Sequence, residues 1–362
     1  MTINAALVGV GYWGPNVARA LSEVDGARLH TVCDADPARL DRLRRHYPGA
    51  KLVSDFEAVL ADDEVDAVII ATPVFTHHNL ARKALLAGKH VFVEKPLAAT
   101  SPDCEDLIRV AAEGSLTLMV GHVFLYNAAV RKVKAYIDSG ELGEVRYIYS
   151  QRLNLGQVRQ DVNALWNFGP HDVSILCYWL DAEPERVIAR GYSYVQPGIE
   201  DVVFMTLDFP NQVGANVHIS WLDPLKVRRM TVVGSEKMVV YDDVSADARI
   251  TIYDKGVSRT ALGTPGDPPE SLGRYETFGE FQLLLRAGDV VIPNIDFTEP
   301  LRLECQHFVD CIRSGEEPLT GGHNGLRVVR VLEAAQRSLV NEGAAEILAG
   351  RSSLVGPTRS GD

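Results

Sequence analysis

The stretch Gly9-Val10-Gly11-Tyr12-Trp13-Gly14 follows the apolar run 5–8 and opens a segment of helical character. This order of strand, turn and helix is the context in which a G-x-G-x-x-G sequence indicates a dinucleotide site. Gly9 permits the tight turn, Gly11 lets a pyrophosphate approach the backbone, and Gly14 lets the helix pack close to the strand. The N-terminus of that helix then faces the phosphates. The stretch therefore predicts a dinucleotide-binding domain at the start of the chain.

An acidic residue at the expected distance supports this prediction and favours one cofactor. The second predicted strand, 29–33, ends at Asp34, twenty residues after Gly14, and the fingerprint expects a gap of about 20 residues. A carboxylate there accepts hydrogen bonds from both hydroxyls of an adenosine ribose and repels a 2′-phosphate. The alternative is a loop of glycines followed by an aspartate that merely caps the next helix. We expect NAD rather than NADP.

Composition limits the class of protein. The chain has 362 residues, of which 46% are hydrophobic and 23% charged, values ordinary for a soluble enzyme of two domains. Its net charge of −12 argues against nucleic acid as a partner. No apolar run is long enough to cross a bilayer. Its five scattered cysteines form no C-x-x-C pair, which predicts reduced, mostly buried thiols and a cytoplasmic protein. No residue set has the spacing of a metal site, so no metal is expected.

The pattern of predicted elements divides the chain in two. Short β-rich runs alternate with helical patterns through the first third, which predicts an α/β Rossmann domain with a parallel sheet over 1–122. Longer β-rich stretches with few helices follow, which predicts an α+β domain with a large, mostly antiparallel open sheet over 123–325. A helix is expected over 326–345 and a flexible tail over 351–362.

Lys95 is the first candidate for catalysis. It lies in Glu94-Lys95-Pro96, at the end of the apolar run 90–93, and so at the sheet edge where a ligand of such a fold binds. An ammonium group there can donate to a substrate hydroxyl and stabilise the alkoxide that develops as a hydride leaves. The alternative is a surface lysine at a strand end.

His171 is the second candidate. Pro170 suits the first turn of a helix, so we expect His171 near a helix N-terminus, where the dipole disfavours the imidazolium. A neutral imidazole can accept the proton of an alcohol. The alternative is a histidine that caps its own helix. Asn167 lies within one turn and can orient a hydroxyl, and Asp172 is either a carboxylate at the helix N-terminus or a partner of His171.

Further residues complete the predicted binding sites. Thr72-Pro73 ends the third main strand and His77 opens the next helix, so these residues can contact the cofactor or simply be solvated. An anionic substrate of this acidic chain needs a local basic pocket, unless the basic residues form a solvated strand edge. The predicted cofactor-binding residues are Gly9, Gly11, Tyr12, Trp13, Gly14, Asp34, Thr72, Pro73, His77, Glu94 and Lys95. The candidates for the basic pocket are Arg152, Arg159, Lys226, Arg228 and Arg229.

With these residues in place, the chain resembles the Gfo/Idh/MocA family of oxidoreductases. The resemblance rests on the glycine stretch, Thr72-Pro73 with His77, Glu94-Lys95-Pro96 and Gly169-x-His171 in that order. It implies that Lys95 and His171 are the catalytic pair. Asn167 occupies the position of the family's aspartate, so the resemblance supplies no assisting acid there.

The resemblance also implies an architecture and a class of substrate. Family members pair a Rossmann domain with a C-terminal domain whose open sheet mediates dimers or tetramers, and their last helix packs back on the Rossmann domain. The runs 121–127, 154–156 and 220–224 with Lys226 are similar to members acting at C3 of nucleotide-linked sugars, such as UDP-N-acetylglucosamine 3-dehydrogenases. On that basis the substrate-binding residues are Lys95, Arg152, Asn154, Asn167, His171 and Lys226.

Three other functions stay open from the sequence. The alternatives to a nucleotide-sugar dehydrogenase are a free-sugar or inositol dehydrogenase and an NADPH-dependent 3-ketoreductase of a deoxysugar. A non-catalytic NAD-binding regulator would keep the fold without turnover.

Overall fold

The computed structural model describes residues 2–156, 158–257 and 285–348. Its first domain contains a six-stranded sheet with the order β3-β2-β1-β4-β5-β6, in which every pair of neighbours is parallel. The strands are β1 (Ile3–Val8), β2 (Ala27–Cys33), β3 (Lys51–Val53), β4 (Ala67–Ile70), β5 (His90–Glu94) and β6 (Leu118–Gly121). This is the predicted parallel Rossmann sheet.

Helices cover both faces of this sheet because its central strands are apolar on both sides. All four residues of β4 are buried, as expected where a parallel sheet lies between two helical layers. The helices of the first domain are α1 (Gly14–Ser22), α2 (Pro37–Arg44), α3 (Phe56–Leu60), α4 (Val74–Leu86) and α5 (Ser101–Glu113). Residues of α1 and α2 form the core on one face, and residues of α4 and α5 form the core on the other.

The second domain contains a nine-stranded sheet with the order β14-β13-β12-β11-β7-β10-β9-β8-β15. Neighbours are antiparallel except β7 and β10, which run parallel. The prediction of a large, mostly antiparallel sheet is therefore confirmed. Its strands are β7 (Val145–Leu155), β8 (Arg186–Tyr192), β9 (Val202–Phe209), β10 (Val213–Ser220), β11 (Leu222–Gly234), β12 (Met238–Asp242), β13 (Ile250–Val257), β14 (Leu285–Val291) and β15 (Glu346–Ile347).

One face of the large sheet is covered and the other carries exposed aromatic side chains. The remaining helices are α6 (Ala128–Asp138), α7 (Ala164–Leu180), α8 (Pro300–Ser314) and α9 (Gly322–Val340), with short 3₁₀ helices at Val123–Tyr126 and Pro210–Gln212. Residues of α6, α7 and α9 share one apolar core with the strands. The opposite face bears Tyr149, Tyr192 and Phe204, all more than a third exposed.

The last two helices connect the domains. Helix α9 contacts α5 and β6 of the first domain as well as α7 and β8 of the second. Helix α8 lies within the range predicted for the second domain, yet Phe308 packs against Phe92 of β5 at 5.6 Å between ring centroids. The predicted range 123–325 thus includes a helix that packs into the hydrophobic core of the Rossmann domain. The tail predicted over 351–362 lies outside the described residues.

The structure also bears on the cysteines and on membrane-spanning helices. All five cysteines are buried free thiols. Among the described residues, no helix is both long and apolar enough to cross a membrane.

Candidate active site

The glycine stretch forms an open cradle at the carboxyl end of β1. Gly9 has a φ of +93°, which favours glycine, and a Cβ on Gly14 would lie 2.2 Å from the carbonyl oxygen of Gly9. A Cβ on Gly11 would find only an Arg39 guanidinium nitrogen within 4 Å, at 3.8 Å. The backbone at Gly11 is thus accessible from outside, as the approach of a pyrophosphate requires. The positive φ of Gly9 and the close packing at Gly14 are those that the fingerprint requires, while the contact of Gly11 with a pyrophosphate stays a prediction.

Asp34 follows β2, and its carboxylate has hydrogen-bond acceptor positions left for a ribose. Its Oδ2 accepts from the Val10 amide at 2.8 Å, and its Oδ1 accepts from the Asp36 amide at 2.9 Å. A carboxylate offers about four lone-pair positions, so two remain for the two ribose hydroxyls. Arg39 Nη1 lies 3.7 Å from Asp34 Oδ2. The residues present therefore fit the adenosine end of NAD, with an arginine beside them.

Trp13 and Glu94 connect the glycine stretch to Lys95. The Trp13 indole Nε1 donates to Glu94 Oε1 at 2.7 Å, while Tyr12 is 90% exposed. Burial raises the pKa of Glu94, and the positive charge of Lys95 opposes that rise. Glu94 thus holds the side chain of Trp13 rather than pointing freely at a cofactor.

His77 has a different position from the one expected for a cofactor ligand or a solvated residue. It is 1% exposed, and its two ring nitrogens lie 2.8 Å from the carbonyl oxygens of Pro96 and Thr72. Burial lowers its pKa. The Thr72 and Thr76 hydroxyls lie 2.6 Å apart, and Thr76 donates to the Pro73 carbonyl. His77 therefore ties the loop after β4 to the segment after Lys95.

Lys95 lies beside the helix that carries the second catalytic candidate. Its Nζ donates to the backbone carbonyl of Asn167 at 2.8 Å. Burial lowers the pKa of Lys95, Arg159 and Arg152 lower it further, and Glu94 raises it. Lys95 and the 167–171 turn are thereby brought together, although Asn167 contributes its carbonyl where the sequence pointed to its side chain.

The predicted position of His171 at a helix N-terminus is wrong. Helix α7 begins at Ala164, where the Asn163 side chain accepts from the Trp166 amide, and Pro170 lies inside the helix. The pKa of His171 is nonetheless lowered well below its usual value, first by burial and then by the positive charges of Lys95 and Arg152. A neutral imidazole is thus maintained by burial and nearby cations rather than by the helix dipole. Its buried Nδ1 has no hydrogen-bond partner among the described residues.

Arg152 and Asp172 form a buried ion pair. Arg152 Nε lies 2.5 Å from Asp172 Oδ2, with the side chains 6% and 1% exposed, and the Ser150 hydroxyl donates to Asp172 Oδ1 at 2.6 Å. Neither interpretation of Asp172 from the sequence holds, because it lies in the middle of α7 and binds Arg152. Arg152 also stacks on Phe124, with its guanidinium carbon 4.7 Å from the ring centroid.

The other predicted basic residues are mostly paired with carboxylates, although Arg159 lies close enough to Lys95, and Arg228 to His171, to lower the pKa of each. Arg159 pairs with Asp161, Arg228 with Asp243 and Arg229 with Asp242. Lys226 is exposed, within the bulge of β11 between Leu222 and Val227. Asn154, at the end of β7, has a buried Oδ1 without a partner among the described residues. Most of the positive charge predicted for an anionic substrate is thus already neutralised.

His122 is a residue of this site that the sequence reasoning did not single out. It is 1% exposed, its Nδ1 lies 2.6 Å from Asn324 Oδ1, and its Nε2 has no partner within the described part of the chain. Burial lowers its pKa to about 4, with Lys95 contributing. Its place directly after β6, at the ligand-binding edge of the sheet, is the signal that could have identified it.

The described residues contain one group of metal-ligand type away from this site, made of His30, Asp62 and Glu64. Lys51 Nζ already donates to both carboxylates, at 2.9 and 3.1 Å. An ammonium group thus occupies the position that a cation would take.

Comparison with known protein families agrees with both domains. Residues 3–122 match the GFO_IDH_MocA family, described as an oxidoreductase family with an NAD-binding Rossmann fold. Residues 130–240 match the GFO/IDH/MocA C-terminal domain.

Curated relatives share part of the chain. Inositol 2-dehydrogenase 2 of Saccharopolyspora erythraea is 32% identical over 60% of this chain and 67% of its own length. A 2,7-anhydro-N-acetylneuraminate hydratase of Escherichia coli is 30% identical over 58% of this chain and 59% of its own. The chain spans about 60% of the length of the first relatives that it matches.

A solved structure reproduces the whole fold. Aldose-aldose oxidoreductase from Caulobacter crescentus superposes with a TM-score of 0.79 at 22% identity, over 96% of this chain and 100% of the other. This likeness concerns the fold alone. The Saccharopolyspora relative, together with the two matching domains, shows that the chain belongs to the Gfo/Idh/MocA family of NAD-binding oxidoreductases.

Proposed function

We propose that this protein is a dehydrogenase that oxidises or reduces a hydroxyl-bearing ring carbon of a sugar or polyol. The observation that carries the proposal is the approach of Lys95 Nζ to the Asn167 carbonyl at 2.8 Å, which brings the ammonium group beside the turn that carries His171. NAD, when bound by the glycine stretch and Asp34, supplies the hydride acceptor or donor.

Lys95 would stabilise the oxygen of the reacting hydroxyl. Its lowered pKa reflects burial, and a buried ammonium interacts more strongly with a developing alkoxide than an exposed one does. The carbonyl of Asn167 accepts one of its three protons, which leaves two donors for a substrate oxygen. Lys95 therefore orients the hydroxyl and favours its negative charge.

His171 would accept the hydroxyl proton. Burial and neighbouring cations keep its ring neutral at pH 7, so a ring nitrogen is free to act as the base. Protonation would place an additional positive charge beside Lys95 and Arg152, so the proton must be passed on to solvent or buffer. In the reductive direction, the same group would return a proton to the alkoxide.

Two classes of substrate are considered for this reaction, a nucleotide-linked sugar and a free sugar or cyclitol. The runs 121–127, 154–156 and 220–224 with Lys226 resemble family members that act at C3 of nucleotide-linked sugars. This resemblance favours a nucleotide-linked amino sugar, in amino-sugar, polysaccharide or antibiotic biosynthesis. The pairing of Arg159, Arg228 and Arg229 with carboxylates favours a less highly charged substrate than a diphosphate. The relative named inositol 2-dehydrogenase 2 supports the alternative of a free cyclitol or sugar.

The open face of the large sheet supports association of two or more copies. Tyr192 stacks on Tyr194 at 5.8 Å between centroids, and Phe204 stacks on His218 at 4.4 Å. Aromatic side chains clustered on an exposed sheet face are typical of a protein interface. We propose a homodimer or homotetramer formed through this face, located in the cytoplasm, as the thiols favour.

The test is oxidation of a substrate panel with NAD by the purified protein. The panel contains nucleotide sugars, free sugars and inositols, and NADH is followed by its absorbance while products are identified by mass spectrometry. The proposal predicts a product lighter by two hydrogens. Failure of every member of the panel in both directions, despite NAD binding, would favour a non-catalytic NAD-binding regulator.

A further inference from the structure

A cavity lined by residues of both domains lies next to the proposed catalytic residues. Its volume is about 350 Å³, within the range of small-molecule sites. Trp13 and Asn16 of the first domain line one side. Phe124, Arg249 and Phe297 line the other.

Two contacts connect this cavity to the proposed catalytic site. The Phe124 ring lies against His171 with 5.0 Å between ring centroids. Trp13 donates its indole N–H to Glu94, the neighbour of Lys95. The cavity therefore adjoins the proposed catalytic site, with Phe124 between it and His171.

The charged groups that line the cavity differ in whether they have an oppositely charged partner. Asp243 accepts from Asn127 and Tyr241 and pairs with Arg228. Arg19 Nη1 donates to Glu299 at 3.0 Å and its other terminal nitrogen pairs with the same carboxylate. These groups already have partners.

Arg249 is the exception. Its guanidinium carbon lies 4.4 Å above the Phe297 ring, and within the described ranges no carboxylate lies at ion-pair distance from it. The stacking fixes the plane of the guanidinium without using its N–H donors, which stay free for a planar or tetrahedral anion.

We propose that this cavity is a second substrate subsite, in which Arg249 binds an anionic group carried by the substrate away from its reacting ring. The inference rests on the proposed dehydrogenase function and specifies its substrate class. The anion is a carboxylate, as in a uronic acid, or a phosphate, as in a sugar phosphate or nucleotide-linked sugar. Since Arg249 is a single cation, a monoanionic group fits the subsite best.

The experiment compares neutral sugars with derivatives that carry an anionic group. Glucose is compared with glucuronate, and N-acetylglucosamine with its 1-phosphate and its UDP derivative, with wild-type protein, Arg249→Ala and Arg249→Lys. Arg186→Ala removes the same charge from an exposed pair on β8, where the two side chains are 50% and 38% exposed, and serves as the control. Binding to the protein mixed with NADH is measured by calorimetry, and KM and kcat are measured for every compound that reacts.

The proposal predicts that wild type and Arg186→Ala bind the anionic member of at least one pair about tenfold more tightly than the neutral member, a difference that one charge-assisted contact can supply. Arg249→Ala should remove this preference by raising KM, with kcat changed less than threefold, and Arg249→Lys should retain part of it. The pair that shows the preference distinguishes a carboxylate from a phosphate.

Two results separate failure of this inference from failure of the proposed function. Equal binding of both members of every pair by the wild type, or a preference that survives in Arg249→Ala, overturns the subsite even if turnover is seen. Selective binding of the anionic member that depends on Arg249, with no turnover of any compound, supports the subsite and contradicts the dehydrogenase.

Discussion

Asp172→Asn is predicted to destabilise the protein strongly, although it changes only one side-chain atom. The substitution leaves the Arg152 guanidinium 6% exposed without a neutralising carboxylate. Removal of one partner of a buried ion pair costs about 3–5 kcal/mol. We expect the free energy of unfolding to fall by about that amount.

The structure offers a matched control with the same distance and a different burial. Arg186 and Asp208 also approach to 2.5 Å, but their side chains are 50% and 38% exposed. Exposed pairs contribute less than about 1 kcal/mol, so Asp208→Asn should have little effect. The contrast isolates burial of the charge as the cause.

Urea unfolding followed by tryptophan fluorescence measures both variants. Trp179 and Trp221 are fully buried in the second domain and report on the part of the molecule that contains Asp172. A double replacement, Arg152→Met with Asp172→Leu, should recover most of the lost stability because it removes both charges of the buried pair. The reasoning would be refuted by a loss of less than 1 kcal/mol in Asp172→Asn, or by a loss as large in Asp208→Asn.

Three further predictions concern the cofactor and the catalytic pair. Asp34→Ser should raise kcat/KM with NADP at least tenfold relative to NAD. The substitution removes the carboxylate that repels a 2′-phosphate and leaves Arg39, which lies 3.7 Å from that carboxylate. An unchanged cofactor preference would show that Asp34 does not contact the ribose. Gly14→Ala should weaken NAD binding more than tenfold by titration, because its Cβ would lie 2.2 Å from the Gly9 oxygen. The pH profile of kcat/KM should be bell-shaped. Because the pKa of His171 is lowered, activity should fall on the acid side below pH 6.5, where His171 gains a proton. Because the pKa of Lys95 is lowered, activity should fall on the alkaline side already below pH 10.5, where Lys95 loses a proton. Lys95→Arg should move only the alkaline limb upward.

The fold of the first domain follows closely from local sequence. Strands such as β4 are short apolar runs buried on both faces, and the spacing from Gly14 to Asp34 reflects a single strand–helix–strand unit. These signals lie within about 30 residues of one another, so the sequence contains them without reference to tertiary contacts.

The details of the active site depend on contacts between distant residues. Glu94 binds Trp13 across the domain, and Arg152 binds Asp172 from a different element; no periodicity identifies such pairs. In the sequence, Pro170 predicts a helix start because proline is disfavoured within helices. The apolar core around α7 instead accommodates it one and a half turns into the helix. Tertiary packing there outweighs a local preference.

The measurement that tests the central claim most directly compares Lys95→Met with wild type in two properties. NADH formation on the best substrate of the panel reports catalysis, and titration of NAD reports cofactor binding. The account predicts that the variant loses at least about a hundredfold in kcat, as expected for removal of an oxyanion-stabilising donor, while the Kd for NAD changes less than threefold. A variant that keeps its turnover within tenfold of wild type would contradict the assignment of Lys95, and with it the proposed mechanism.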